Sequence, residues 1–120
     1  MGDNIVKDKS FRLAIKIINL YKFLISEKKE YVLSKQLLRC GTSVGAMIRE
    51  AEHSESSADF IHKMAIAQKE INETIYWLEL LEETDYISNE QFDSIIPEAI
   101  EIIKLITSII KTTKRKSIKH

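Results

Sequence analysis

Two carboxylate–histidine pairs in this chain have the spacing of a metal site. Glu50-Ala51-Glu52-His53 matches Glu-x-x-His, and Asp59-Phe60-Ile61-His62 is its aspartate variant. In a helical bundle, two such motifs plus one glutamate on each of two other helices hold a di-iron centre. Here both pairs flank the same connection, and the other helices offer no acidic residue in their main apolar stripes. They read as two surface histidines beside a turn, and no metal or cofactor is expected. Cys40 sits between Leu37 and Val44 on an apolar stripe, where a thiol acts as a small buried hydrophobe rather than a reactive thiolate. The serines around His53 have no orienting carboxylate or oxyanion donors in view, so they read as helix caps. Gly41-Thr42-Ser43-Val44-Gly45 is too short for a phosphate-binding loop and lacks its Gly-Lys-Ser/Thr ending. No enzymatic chemistry is expected.

The elements that carry these residues are legible from punctuation and period. Three Gly and one Pro in 120 residues cannot supply the turns of a sheet protein. Four apolar stripes instead follow 3-4 spacing: Phe11, Ala14, Ile18, Tyr21 and Ile25; Leu33, Leu37, Cys40, Val44, Met47 and Ala51; Phe60 through Leu81; and Phe92 through Ile109. Lys28-Lys29-Glu30 reads as a polar turn, and residues 53–57 and 84–87 separate the later stripes. Ser56 with Asp59, and Ser88 with Gln91, fit capping boxes. Pro97, well inside the last stripe, predicts a kink or break. Short connections predict an all-α, antiparallel up-down-up-down four-helix bundle over residues 1–113, followed by a basic C-terminal tail over 114–120.

The helices carry more apolar surface than one bundle needs. The first has a second stripe, Leu13, Ile17, Leu20 and Leu24, and the last has Ile96, Ile100, Ile103 and Ile110. Surplus apolar faces mark interfaces, so self-association is expected. Gly41 and Gly45 share one helix face, which predicts a close approach by a neighbouring backbone. Gln36, Ser43 and Glu50 form a polar stripe beside them. Trp77 and Tyr76 lie among glutamates and off the main stripe, which suits either an aromatic anchor for a partner or a Trp covering the bundle edge.

The formal net charge of zero hides segregation. Residues 1–53 carry a net +4, residues 54–110 a net −9 and residues 111–120 a net +5. Lys111, Lys114, Arg115, Lys116 and Lys119 make the last segment a candidate contact for phosphate, although basic groups also suit a helix C-terminus. A single Cys excludes a disulfide framework and fits a reducing, cytoplasmic setting. No signal-like start and no apolar run near the ~18 residues of a membrane span is present, so no membrane partner is expected.

The stretch from Leu33 to Ala51, LSKQLLRCGTSVGAMIREA, resembles the signature of the 23S rRNA intervening-sequence proteins. Asp59-Phe60-Ile61-His62-Lys63-Met64 and the run from Ala67 to Leu78 are similar to that family's second block. With the flanking helices, the resemblance covers nearly the whole chain. The chain departs from it at Met47, where the family has Asn, and at Cys40, where it has a small Ser or Ala. The resemblance implies a homopentameric ring of four-helix bundles without catalytic residues. It also implies a relation to accessory proteins of diversity-generating retroelements, which bind a reverse transcriptase and nucleic acid. The motif residues it carries over are Gln36, Arg39, Gly41, Ser43, Gly45, Asp59, Glu70, Glu73, Tyr76 and Trp77, as structural or interface positions. The expected function is a non-enzymatic, homo-oligomeric module that binds RNA, DNA or a nucleic-acid enzyme. Arg39, Arg49, Lys111, Lys114, Arg115 and Lys116 would face phosphate. The alternative is a scaffold that docks only a partner protein.

Overall fold

The computed structural model describes residues 2–118, with side chains from residue 4 onward. Four long helices, α1 (Gly2–Glu27), α2 (Leu33–Ala51), α3 (Ser57–Glu83) and α5 (Ile96–Ile118), are joined by short connections, and a single-turn helix, α4 (Asn89–Asp93), precedes the last. No strand occurs among the described residues. The helices close a cycle, α1 on α2, α2 on α3, α3 on α5 and α5 on α1, which sets α1 and α3 diagonally across the core. The molecule measures 53 × 21 × 19 Å, with a radius of gyration of 15.3 Å. That elongation follows from α1 and α3, whose 26 and 27 residues each span about 40 Å at the α-helical rise.

The core lies along the shared axis of the four long helices. Leu37, Cys40, Val44, Ile48 and Ala51 face it from α2, and Met64, Ala67, Ile71, Thr74, Leu78 and Leu81 from α3. From α5 it takes Ala99, Ile102, Ile106 and Ile110. Each fully buried aliphatic side chain contributes about 1.5–3 kcal/mol, which is why the stripes, rather than local propensity, hold the helices together.

On α1 the structure reverses the expected order of the two stripes. Leu13, Ile17, Leu20 and Leu24 fill the core together with Val6, while Phe11 and Ile18 stand exposed. Spacing alone cannot orient a helix that has two stripes of equal period. The partner surface does so: Gly41 on α2 opens a gap that Ile17 enters, and this rotates its whole stripe inward. On α5, Ile110 belongs to the core rather than to the second stripe, whereas Ile100 is exposed.

The break predicted at Pro97 falls just before it. α4 ends at Asp93, and Pro97 is the second residue of α5, within a first turn whose N–H groups have no intrahelical partner. Ile95 bridges the two helices. Its N–H donates to Phe92 O at 3.1 Å, and its carbonyl accepts from the Glu98 N–H at 3.1 Å. The segment set apart from residue 114 continues α5 as helix through Ile118, while Lys119 lies outside the described residues.

The start of α2 is built differently from the polar turn expected there. Glu30 is buried, and its carboxylate accepts from the N–H groups of Val32 (3.1 Å), Leu33 (3.0 Å) and Ser34 (2.7 Å). In return Ser34 Oγ donates to Glu30 O at 2.7 Å. One side chain thus satisfies three N–H groups at the helix start. Burial raises the Glu30 carboxyl, but the bonds from Leu33, Ser34 and Val32 outweigh it and leave the group below its ordinary value.

The two expected capping boxes have different outcomes. At α4 the box is complete: Ser88 Oγ accepts from the Gln91 N–H at 3.0 Å, and Gln91 Oε1 accepts from the Ser88 N–H at 2.8 Å. At α3 only half forms. Ser56 Oγ accepts from the Asp59 N–H at 3.0 Å, but the Asp59 carboxylate turns to the Glu55 N–H and to Lys63.

Candidate binding surfaces

Half of the motif residues gather where α2 meets α3. Arg39 Nη1 lies 3.2 Å from Glu70 Oε2, and Nη2 pairs with Glu73. Glu73 also accepts from Trp77 Nε1 at 3.1 Å. Trp77 meets Tyr76 edge to face, with ring centroids 5.2 Å apart. A chain of charge-assisted hydrogen bonds therefore runs from α2 into the indole and fixes its orientation. Tyr76 remains 54% exposed. Arg39 was expected to face phosphate, yet its guanidinium fork is already occupied by two carboxylates.

The other motif positions have structural roles. A Cβ at Gly41 would stand 2.8 Å from Ile17 Cγ2, so only glycine fits without displacement. At Gly45 the nearest atom, Ser10 Oγ, would be 3.4 Å away, an ordinary contact. The close approach expected at the glycine pair is thus made by α1 of the same chain, and it is strict at Gly41 alone. Ser43 Oγ donates to Arg39 O at 2.7 Å, Gln36 is exposed, and Asp59 in the first turn of α3 accepts from the Glu55 N–H and donates its own N–H to the Ser56 cap. Cys40 is fully buried and donates to Leu37 O at 3.6 Å, and burial pushes its thiol up. Met47, where the resembled family carries Asn, packs against the core.

The basic residues fall in two places. Lys7 pairs with Glu52 at 3.0 Å, so the start of α1 lies beside the end of α2. Thr113 of α5 lines an open cleft with Asn4, Glu52, Ser54, Ser56 and Phe60, which brings the last turns of α5 to that same end. Lys111, Lys114, Arg115 and Lys116 are all exposed there, and none makes an ion pair among the described residues. Arg49, in the last turn of α2, belongs to this end, with its guanidinium 5.2 Å from the centroid of the Phe11 ring. Arg39 lies farther along α2, apart from the others. Toward the opposite end an acidic cluster gathers on α3 and α4: partial burial, then Asp93, Glu83 and Glu79, push the Glu82 carboxyl above its ordinary value.

His53 and His62 are exposed, and among the described residues no group of three His, Cys, Asp or Glu side chains could hold a metal ion. No helix among them is long and apolar enough to cross a membrane. Glu30 was missed as a structural residue. The available signal was a carboxylate four residues before Ser34, at the head of an apolar-periodic segment.

An all-α fold of four long helices with a glycine-gated α1–α2 contact and an Arg–Glu–Trp link between α2 and α3 defines a class of small helical proteins. The family model described as 23S rRNA-intervening sequence protein matches residues 2–108, and the chain belongs to that family. It is similar to a crystal structure described as a protein of unknown function from the S23 ribosomal protein family of Bacteroides thetaiotaomicron VPI-5482. The two are 62% identical with a TM-score of 0.91, over 92% of this chain and 99% of that one. No curated protein matches the chain.

Proposed function

We propose that the chain is a non-enzymatic, self-assembling helical module, an up-down-up-down bundle repeated around a homopentameric ring, whose basic end contacts nucleic-acid phosphate. The observation that carries the phosphate contact is the end-of-bundle cluster, where exposed Lys111, Lys114, Arg115 and Lys116 have no acidic partner among the described residues. A ring repeats that cluster once per copy, and multivalency converts weak single contacts into useful affinity. The exposed apolar residues Phe11, Ile15 and Ile18 support the assembly, because a monomer gains nothing by leaving them in water.

The test is anisotropy of labelled single-stranded and duplex RNA and DNA titrated with the protein at several salt concentrations. Affinity should fall linearly in log–log form as salt rises, because binding releases counterions from the phosphates. Lys111→Gln with Lys114→Gln and Arg115→Gln should reduce both affinity and salt slope, while Arg39→Gln leaves the slope unchanged. Absence of binding at low ionic strength overturns the reading. The second reading, a pure protein scaffold, is favoured by exposed Tyr76 among glutamates, a surface that repels phosphate. Co-purification of a partner that persists after nuclease treatment selects it.

A further inference from the structure

Two separate faces of the bundle present large apolar side chains to solvent. On α1 they are Phe11, Ile15 and Ile18, at 51%, 46% and 36% exposure, with exposed Lys22 one turn farther along. On α3 the face is Tyr76, with Trp77 beside it and exposed Glu79 and Glu83 on the following turns. Lys22 and Arg49 pair with no carboxylate among the described residues, and Glu79 and Glu83 pair with no cation. The faces therefore match in character, apolar with a basic rim against aromatic with an acidic rim.

Their placement matters as much as their chemistry. α1 and α3 are diagonal, so the two faces look away from each other. Phe11 and Trp77 stand on the α2 side, since Arg49 of α2 lies over Phe11 and Arg39 of α2 holds Glu73 beside Trp77, whereas Ile15 lines a groove toward α5 with Lys16, Glu98 and Glu101. Contact between two different surfaces is heterologous, and it forms a ring where the rotation from copy to copy closes. Height agrees as well. Gly41 sits on Ile17 and Arg39 on Glu73, so Ile18 and Glu73 lie level along the bundle, and one turn onward Lys22 lies level with the Tyr76–Trp77 pair. In a ring whose axis runs along the bundles, Ile18 therefore falls about one turn from the aromatic pair and Lys22 within a turn of Glu79.

We infer that each copy seats Ile18 and Lys22 of α1 on Tyr76, Trp77 and Glu79 of α3 in the next copy. This rests on the assembly reading above and specifies its interface. The apolar and aromatic side chains form the dry centre, and Lys22 with Glu79 closes its edge and sets the register.

The test is light scattering of the full chain at micromolar concentration, with circular dichroism to check helix content. Wild type should have a mass several times 13.9 kDa. Ile18→Glu and Tyr76→Glu, both at exposed positions, should each fall to 13.9 kDa with helix content retained. Mixed in equal amounts, the two variants should pair as a dimer of twice 13.9 kDa, because each keeps the face the other has lost. Should either variant lose its helix content, Lys22→Glu replaces it, with weakened assembly restored by adding Glu79→Lys. Variants that keep the wild-type mass, a mixture that stays monomeric, or a charge swap that restores nothing overturns the inference and leaves the assembly reading standing. A monomeric wild type overturns both.

Discussion

Ile17 of α1 closes on Gly41 of α2 so tightly that a Cβ at position 41 would lie within 2.8 Å of Ile17 Cγ2 and 3.3 Å of its Cβ. The obstructing atoms belong to the stem of a β-branched residue, which has little rotamer freedom with which to yield. Gly41→Ala therefore has two opposed effects: a gain of up to about 1 kcal/mol in helix propensity and an overpacking cost of about 1–3 kcal/mol. Overpacking wins, and the urea midpoint should fall. Gly45→Ala, with an ordinary 3.4 Å contact, keeps the propensity gain and should raise the midpoint. Equal responses at the two positions would contradict this account of the helix contact.

Glu30 links stability to pH. Its folded carboxyl lies below its ordinary value, so its contribution is complete above the unfolded value of about 4.3. The contribution is lost as pH falls from there through the lower folded value. Glu30→Gln should flatten the acid limb of Tm against pH. Glu30→Ala should cost about 1–2 kcal/mol at pH 7, since the N–H groups of Val32, Leu33 and Ser34 then lose their acceptor. An unchanged acid limb in Glu30→Gln would place the pH dependence elsewhere.

Lys29 ends the first helix with φ of 53°, in the left-handed region that penalises a Cβ. Lys29→Gly should stabilise the protein by about 0.5–1 kcal/mol, measured by urea unfolding. Asp85, at φ 64°, occupies the same region after α3, where the Tyr86 N–H donates to Leu81 O at 2.9 Å. Asp tolerates that conformation better than Lys, so Asp85→Gly should gain less.

Arg39 holds Glu70 and Glu73, and Glu73 holds Trp77, the single tryptophan of the chain. Its emission therefore reports on this network alone. Arg39→Gln should alter the emission maximum and lower stability by roughly 1 kcal/mol, a modest figure because the guanidinium is half exposed. Emission indifferent to Arg39→Gln would mean that the indole is positioned by packing rather than by the ion pair.

Much of this protein follows from residue order alone. The scarcity of Gly and Pro, four stripes of helical period and the Ser88–Gln91 box determine the number of long helices, their class and one complete cap, because these depend on residues three or four apart. The family was legible too, from LSKQLLRCGTSVGAMIREA and the block around Trp77, and so was the burial of Cys40. Only the tertiary structure decided which stripe of α1 faces inward, since two stripes of equal period are equivalent until Gly41 receives Ile17. It also withdrew Arg39 from the free basic surface, because its charge is answered by Glu70 and Glu73, 31 and 34 residues away. The same separation in sequence hid the basic end, which exists because the last turns of α5 fold back beside the start of α1. Local spacing specifies a helix and its faces, but what each face meets depends on which distant segment packs against it.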